Sequence, residues 1–435
     1  MKKMNRFLCL CMAVLLCLAG AFPAGAEGKR EDWAGKISLN FAADTMKQQV
    51  TVKTFVDGDT THFHVPEDVV PGGVLKGRYM GIDTPECTGK IEEYGKKAAD
   101  FTRQKLENAA SIVIESDTEN WEKDSTGERY LVWVWYKAAP GDAYRNLNIE
   151  ILQNGLSNAK STANNRYGDL CASALSQARA EKLGVFSGEK DPDFYYGDAI
   201  ELTLKELRCN LEAYNGKKVA FNGKITVNSS NSLYVEDYDA EQDLYFGLSV
   251  YYGYGLSAKG LDILSVGNEV RIVGTVQYYE AGDSWQVSGL SYDMMDPQNP
   301  GNIQLLSSGH KPSYRLTDAK TFNHGKVTIQ GEETKQEFDF APLAVATSVS
   351  MKGLKVEEIH TTQDETSSSK GAMTLSCTVD GEPIQVRTTV LRENGKVITG
   401  ERYLGKTIDV QGIVDTFEGA YQIKVFSPKR ITVQP

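Results

Sequence analysis

Three carboxylates in the first half of the chain are spaced so that one small β-barrel could bring them together. Asp59 closes a predicted hairpin, and Asp83 and Glu86 follow the end of a third predicted strand. Carboxylates that cluster without a counter-charge repel one another and raise each other's pKa values. A hard cation removes this repulsion, and ligands that are all oxygen atoms suit Ca²⁺ better than zinc. The spacing therefore predicts a calcium site near the ends of these strands.

Two arginines are expected to face the same site. Arg78 lies on the third predicted strand, five residues before Asp83, and Arg129 stands at the start of the fifth. Guanidinium groups bind phosphate oxygens and stabilise the negative charge that develops on them in a transition state. A carboxylate beside the metal could act as a general base toward water. These residue types together predict chemistry on a phosphodiester.

The elements that must position these residues form a pattern of five strands with interleaved helices. The predicted strands are 50–55, 61–65, 74–82, 111–116 and 130–136, and the predicted helices are 94–109, 147–153 and 168–183. This pattern is typical of a small β-barrel of the OB type. We predict such a barrel over residues 48–187, within a chain that is mainly β with some α.

Four ordered motifs run through this section. They are Val56-Asp57-Gly58-Asp59-Thr60; Arg78-x-x-x-Ile82-Asp83-Thr84-Pro85-Glu86; Glu93-Tyr94-Gly95 with Ala98 and Phe101-Thr102; and Gly127-Glu128-Arg129-Tyr130-Leu131. Together they resemble the staphylococcal nuclease, or thermonuclease, family. Residues 146–156 and 178–187 are similar to the family's last two helices, so the resemblance spans about 140 residues, the whole nuclease domain.

The resemblance implies a role for each matching acidic position. Asp59 and Asp83 would bind Ca²⁺ through their carboxylates, and Thr84 would bind it through its backbone carbonyl. Glu86 would activate or orient the attacking water. The implied cofactor is therefore Ca²⁺.

The resemblance also implies roles for the two arginines. Arg78 would bind the phosphate and stabilise the transition state, and Arg129 would join it and favour the leaving group. The family cleaves DNA and RNA so that the 5′-oxygen leaves and a 3′-phosphate remains. The implied function is a Ca²⁺-dependent endonuclease. As its partner we expect single-stranded DNA or RNA in preference to duplex.

The sequence departs from the family pattern at two places and in its net charge. Gly127-Glu128-Arg129 stands where the family has Tyr-Gly-Arg, with one extra residue. No tyrosine lies between Leu156 and Asn165, where the family has tyrosines that flank the nucleotide. Residues 51–190 hold 17 Lys and Arg against 21 Asp and Glu, a net charge of −4, whereas the type enzyme is basic. We therefore expect substrate binding to be weak and metal-dependent.

The rest of the chain carries an internal repeat. The pattern Gly-x-x-Val-x-Phe-x-Gly-x-Ile at 216–225 has the same form as segments 267–276 and 405–414. Each copy is an alternating strand with a glycine where a tight barrel needs a bend. We predict two further OB-like β-barrels, at 199–293 and 316–435, although other antiparallel β-domains also contain such glycines.

The second section is rich in tyrosines, including Tyr251, Tyr254 and Tyr279. Aromatic rings in an OB-type groove can stack bases or sugars, but strand-rich domains also use tyrosine on half-buried faces. Because no basic stripe accompanies these residues, we favour the second explanation. A ligand at the cell surface is the other partner that we consider for these two barrels.

The N-terminal residues have the pattern of a targeting segment. A basic end at 2–6 precedes an apolar run over about 7–22, and Ala24-Gly25-Ala26 suits a cleavage site. The apolar run is shorter than the roughly 20 residues that a membrane span needs. We expect a signal peptide at 1–26, cleaved after Ala26, and a secreted, extracellular protein.

Composition limits the class of protein and the partner. The chain is 41% hydrophobic and 24% charged, which excludes wholesale disorder and a collagen-like chain. Its formal net charge is −11, or −14 without residues 1–26, so a nucleic acid would need a local basic site or a bridging cation. After that cleavage Cys87, Cys171, Cys209 and Cys377 remain, with no zinc spacing. A Cys87–Cys171 disulfide and unpaired thiols both stay open.

A second hypothesis is a non-catalytic binding protein on a nuclease-like barrel. Family members that have lost catalysis usually lack the glutamate or an arginine of the site. Here Glu86, Arg78 and Arg129 are all present, which favours an enzyme. Ca²⁺ affinity would discriminate, because a binding module has no need of metal at Asp59 and Asp83.

Overall fold

The computed structural model describes residues 30–160, 163–330, 335–363, 367–417 and 419–435. The predicted signal peptide at 1–26 lies outside these ranges. Among the described helices, none is long and apolar enough to span a membrane.

The first barrel has five strands that close on themselves. The elements of this section are β1 (Lys47–Phe55), β2 (Thr60–His64), β3 (Val74–Tyr79), β4 (Ile82–Asp83), α1 (Gly95–Leu106), β5 (Ser111–Glu115), β6 (Tyr130–Lys137), β7 (Arg145–Asn146), α2 (Leu147–Gln153), β8 (Asn158–Ala159) and α3 (Gly168–Ala180), with short 3₁₀ turns at Trp33–Gly35 and Gly184–Phe186. The strand order β3-β2-β1-β5-β6-β7 closes because β3 also pairs in parallel with β6. The predicted OB-type barrel is confirmed.

Strand β6 lies at the centre of this core. Its residues from Val132 to Tyr136 are buried without alternation, because both faces of the strand are covered. The ring of Tyr167 packs edge-on against Trp133 and Trp135, with centroids 5.0 and 5.6 Å away. The indole N–H of Trp135 donates to the buried carboxylate of Glu115 at 2.9 Å. These contacts hold β6 in place, and Arg129 directly precedes this strand.

The prediction of one continuous strand over 74–82 was wrong. The ladder with β2 ends at Tyr79, and Ile82 and Asp83 pair instead with β8. The side-chain amide of Asn148 donates to the carbonyl of Met80 at 2.9 Å. That carbonyl is then not available for the backbone hydrogen bond that a continuous strand would make. The change of partner directs Asp83 toward β8.

The second barrel repeats the same connectivity. Its elements are β9 (Ile200–Glu201), α4 (Leu204–Cys209), α5 (Leu211–Tyr214), β10 (Lys218–Ser229), β11 (Ser232–Asp239), β12 (Leu244–Tyr251), α6 (Ala258–Ile263), β13 (Glu269–Tyr279), a 3₁₀ turn at Glu280–Gly282, β14 (Ser284–Ser288) and β15 (Gln304–Ser307). Pairing of β10 with β13 closes the order β15-β13-β14-β12-β11-β10-β9. The first two copies of the sequence repeat lie on β10 and β13, and Phe221 stands opposite Ile272. Strand β15 lies beyond the predicted bounds of the second barrel, 199–293, because its two leucines are exposed and give no alternating pattern.

The third section also contains a closed sheet. Its elements are β16 (Arg315–Leu316), α7 (Ala319–His324), β17 (Lys326–Gln330), β18 (Lys335–Asp339), α8 (Phe340–Ala344), β19 (Ser348–Thr361), β20 (Met373–Val379), β21 (Glu382–Thr388), β22 (Arg392–Glu393), β23 (Lys396–Val397), β24 (Thr407–Phe417), β25 (Ala420–Val425) and β26 (Ile431–Val433), with 3₁₀ turns at Gly400–Arg402 and Pro428–Arg430. Strand β19 pairs with β24 and closes the order β16-β19-β20-β21-β25-β24-β26. The mainly β fold class is thereby confirmed.

The second and third sections share buried contacts. Ile329 and Leu343 from the third section pack into the hydrophobic core of the second barrel. The buried carboxylate of Glu236 on β11 accepts hydrogen bonds from the backbone N–H groups of Ser348, at 2.7 Å, and Ser313, at 3.2 Å. A charged group therefore lies between the two barrels, where desolvation penalises its ionised form.

We expect Glu236→Gln to change the pH dependence of stability. Burial raises the pKa of Glu236 above its ordinary value of 4.5. The folded state then holds the proton more tightly than the unfolded state, so this residue stabilises less as pH rises above about 4.5. The measured quantity is the difference between the urea midpoints of the wild type and the variant (wild type minus variant). This difference should decrease as the pH is raised from about 4.5 to neutrality. Glu337→Gln, on an exposed strand position, is the control; a difference that stays flat or rises for Glu236→Gln would contradict the prediction.

Candidate active site

Arg78 joins the two predicted metal-binding carboxylates. Its guanidinium donates hydrogen bonds to the carboxylates of Asp59 and Asp83. Asp59 is fully buried, and its other oxygen accepts the backbone N–H of Thr84 at 2.8 Å. Four of the six predicted site residues, including Thr84, are therefore in one hydrogen-bonded cluster.

The turn that carries Asp59 is held by helix α1. The hydroxyl of Thr102 donates to the carbonyl of Gly58 at 2.6 Å. A Cβ on Gly58 would lie 2.7 Å from the Cβ of Ala98, so only glycine allows the turn to approach the helix this closely. This packing explains why glycine, alanine and threonine occur together in the sequence motifs.

Asp83 differs from Asp59 in its exposure. Its backbone N–H donates to the hydroxyl of Ser157 at 2.8 Å. Its carboxylate accepts a hydrogen bond from Lys160 Nζ at 3.1 Å. The Asp83 side chain is 44% exposed, against 1% for Asp59. The cluster thus has one carboxylate inside the barrel and one open to solvent.

Arg129 lies in the same cleft as Arg78. The cleft has a volume of about 680 Å³, and its lining also includes Lys160 and Asn164. Arg129 is held by Asp124, with 2.7 Å between Nε and the carboxylate oxygen. Two guanidiniums and an ammonium line this cleft together with the carboxylates of Asp117, Glu122 and Asp124, and guanidinium groups are the residue type that binds phosphate oxygens.

Glu86 does not line this cleft, and the carboxylates of Asp59, Asp83 and Glu92 are near enough to act on its charge. Burial raises the pKa of Glu86, and the negative charge of Asp59 raises it further. Its carboxylate forms no hydrogen bond or ion pair with the residues that the structure describes. Its backbone carbonyl accepts the N–H of Glu92 at 2.8 Å, and its own N–H donates to the Glu92 carboxylate at 3.2 Å. A fixed backbone with an unpaired, partly desolvated carboxylate suits a general base.

The backbone of Glu86 also packs directly on the first residue of helix α1. A Cβ on Gly95 would overlap the carbonyl oxygen of Glu86. We expect Gly95→Ala to lower stability by about 1–3 kcal/mol through this overlap, although alanine is the better helix former. Chemical denaturation measures the change, and Gly141→Ala, at a site with open space around the new Cβ, is the control. Equal stability of the two variants would contradict the packing argument.

Comparison with known protein families gives a match to the part of the chain that contains most of the candidate site residues. The family model described as "Staphylococcal nuclease homologue" matches residues 76–188. The matched range starts in β3, ends after α3, and contains Arg78, Asp83, Glu86 and Arg129. This segment belongs to the staphylococcal nuclease family.

A curated relative of the nuclease-family segment supports the same assignment. The thermonuclease of Staphylococcus hyicus is 29% identical over 191 residues, which cover 43% of this chain and 99% of the relative. The family supports a hydrolase of the nuclease class in general, and it implies nucleic-acid binding. Asp59 precedes the range of the family model, and the folded structure places it against Arg78.

The turn that carries Asp59 also contains a carboxylate that sequence reasoning missed. Asp57 is buried and accepts the backbone N–H of Asp59 at 3.1 Å. Burial, together with the charge of Asp57, raises the pKa of Asp59 to about 7. The Asp-x-Asp spacing was visible, but an aspartate in a turn usually faces solvent, so only the tertiary structure revealed its burial. The expected mutual repulsion of the carboxylates is thus present.

The oxygen atoms around Arg78 are of the type that calcium prefers as ligands. The Thr84 hydroxyl is buried and has no hydrogen-bond partner within the described ranges, and the Arg78 guanidinium bridges Asp59 and Asp83, where positive charge is favourable. No group of three His, Cys, Asp or Glu side chains that could hold a metal occurs in the described part of the chain. A site here would therefore use two carboxylates and the Thr84 carbonyl, with water as the remaining ligands.

The four cysteines in the described ranges are unpaired. Cys87, Cys171, Cys209 and Cys377 are all free thiols. The Cys87–Cys171 disulfide that the sequence left open is therefore absent. The loop after Glu86 is held by other contacts.

Proposed function

We propose that the protein is a secreted, Ca²⁺-dependent endonuclease that hydrolyses phosphodiester bonds of DNA or RNA and leaves 3′-phosphates. The observation that carries the proposal is the cluster in which Arg78 bonds to both Asp59 and Asp83, with Arg78 and Asp83 inside the nuclease-family segment. Secretion rests on the targeting pattern of residues 1–26. Preference for single strands and a cell-surface ligand of the later barrels remain predictions.

Asp59, Asp83 and the carbonyl of Thr84 would hold Ca²⁺. The chemistry that a bound Ca²⁺ supplies is neutralisation of charge on the phosphate and polarisation of its oxygens. The oxygen-only donor set and the unpartnered Thr84 hydroxyl support this assignment.

Glu86 would accept a proton from the attacking water. Burial raises the pKa of Glu86, and a carboxylate whose pKa is nearer to neutrality is a stronger base while it remains ionised. Since no described group pairs with this carboxylate, a water molecule can approach it.

Arg78 and Arg129 would hold the phosphate from the cleft side. A guanidinium has five N–H donors, so Arg78 can keep a contact with Asp59 and still donate to a phosphate oxygen. The additional charge that builds on these oxygens during attack strengthens the hydrogen bonds in the transition state. Arg129, placed beside Asp124, would stabilise the 5′-oxygen as it leaves.

The test is incubation of the protein, purified without residues 1–26, with single-stranded DNA, RNA and duplex DNA. Each substrate is tested with millimolar Ca²⁺ and with a Ca²⁺ chelator. Cleavage that occurs only with Ca²⁺ and leaves 3′-phosphates is the expected result. Absence of cleavage of all three substrates would instead support the non-catalytic binding protein, and absence of Ca²⁺ binding would support it further. N-terminal sequencing of protein from the culture medium tests secretion, and the expected first residue is Glu27.

A further inference from the structure

The second barrel contacts the loop that follows Glu86. The side-chain amide of Gln277, on β13, donates to the carbonyl of Cys87 at 3.0 Å. The hydroxyl of Ser288, at the end of β14, lies 2.6 Å from the carbonyl oxygen of Gly89. These contacts join residues 190 and 199 positions apart in the sequence, so they are true contacts between barrels.

The two side chains form a buried polar pair. Gln277 is 6% exposed and Ser288 is fully buried. The Ser288 hydroxyl also contacts the carboxamide oxygen of Gln277, and its single proton can serve only one of its two acceptors at a time. The Cys87 carbonyl therefore satisfies the Gln277 amide, a donor that would otherwise be buried without a partner at a considerable cost in stability. A polar pair inside a hairpin, directed at another barrel's loop, is specific rather than incidental packing.

Cys87 transmits this contact to the active site. It directly follows Glu86, and its thiol lies 3.6 Å from the carbonyl oxygen of Val56, the residue before the Asp57-Gly58-Asp59 turn. One residue thus contacts the metal-binding turn through its side chain and the second barrel through its carbonyl. Both contacts restrict the peptide next to Glu86.

The other end of the loop is held by the linker between the barrels. The backbone N–H of Tyr94 donates to the carboxylate of Asp191 at 2.9 Å, and Lys97 pairs with the same carboxylate at 2.8 Å. Arg103, further along α1, forms an ion pair with Glu280 of the second barrel. The segment from Glu86 to α1 is therefore anchored outside its own barrel at both ends.

We propose that the hairpin β13–β14 of the second barrel, through Gln277 and Ser288, positions Glu86 for catalysis. The inference rests on the proposed nuclease function, in which Glu86 is the base. Gln277 and Ser288 are positioning residues that do not contact the substrate. The second barrel is then a part of the active site's support, and the nuclease-family segment depends on it for full turnover.

The experiment compares Gln277→Leu with Gln286→Leu in the full chain. Gln286 stands opposite Gln277 in the hairpin and forms no side-chain hydrogen bond to the described loop, so it is a matched control. We expect Gln277→Leu to lower kcat about tenfold and to leave KM within about twofold, because a displaced base slows the chemical step more than substrate binding. Amide hydrogen exchange of residues 86–94 should be faster in Gln277→Leu than in Gln286→Leu. Ser288→Ala should act in the same direction and replaces Gln277→Leu if that variant does not fold.

Each outcome decides the proposal. Faster loop exchange together with a lower kcat at constant KM supports it. Equal exchange in the two leucine variants overturns it, and so does faster exchange with an unchanged kcat. If the wild type has no activity, the proposed function is refuted, and the exchange comparison still decides whether the hairpin holds the loop.

Discussion

Glu86→Gln is expected to reduce kcat by at least about 10², because the amide keeps the shape of the side chain but cannot accept a proton from water. Glu86 is half-buried, and burial together with the charge of Asp59 raises the pKa of its carboxyl. The carboxylate is not one of the predicted calcium ligands. We therefore expect Ca²⁺ affinity, measured by calorimetry, to stay within about twofold of the wild type.

The control for this variant is Glu119→Gln, at an exposed position of the same barrel. It should retain wild-type turnover on single-stranded DNA. Full activity in Glu86→Gln would show that Glu86 is not the base. A large loss of Ca²⁺ affinity would show that its carboxylate contributes to the metal site.

Arg78→Met is expected to make the stability of the protein depend on Ca²⁺. Arg78 is 9% exposed and pairs with the fully buried Asp59. Its removal leaves a buried carboxylate without a counter-charge, which costs about 3 kcal/mol when no metal is present. A bound Ca²⁺ replaces that positive charge, so Ca²⁺ should raise the melting temperature of the variant more than that of the wild type.

The same substitution should lower kcat by at least about 10², because the developing charge on the phosphate loses a guanidinium partner. Melting curves in chelator and in millimolar Ca²⁺ give the stability effect, and cleavage of single-stranded DNA gives the rate. Arg402→Met removes an exposed ion pair with Glu393, which is worth about 0–1 kcal/mol, and serves as the control. If Ca²⁺ raises the melting temperatures of Arg78→Met and the wild type equally, the ion does not bind between Asp59 and Asp83.

The parts of the site that the sequence predicted are those encoded by neighbouring residues. The Asp57-Gly58-Asp59 turn follows from glycine between two alternating strands, and helix α1 follows from its apolar spacing, so both elements were found at nearly the observed bounds. Arg78 and Asp83 were assigned to one site because they flank the end of a single strand. That strand ends at Tyr79, and the Asn148 side chain donates to the carbonyl of the next residue, Met80. A local sequence pattern cannot predict this hydrogen bond, because Asn148 belongs to a helix far away in the sequence.

Burial and anchoring depended on contacts between distant parts of the chain. The sequence alone determined an OB-type barrel with carboxylates and arginines in the order of a nuclease, because alternation, turns and motif order are properties of short segments. Only the tertiary structure decided that Asp57 is buried, that Arg78 bridges both carboxylates, and that Gln277 of another barrel holds the loop after Glu86. Those features arise from burial and hydrogen bonding between residues far apart in the chain, and closure of the barrels and their packing against each other determine which of those residues meet.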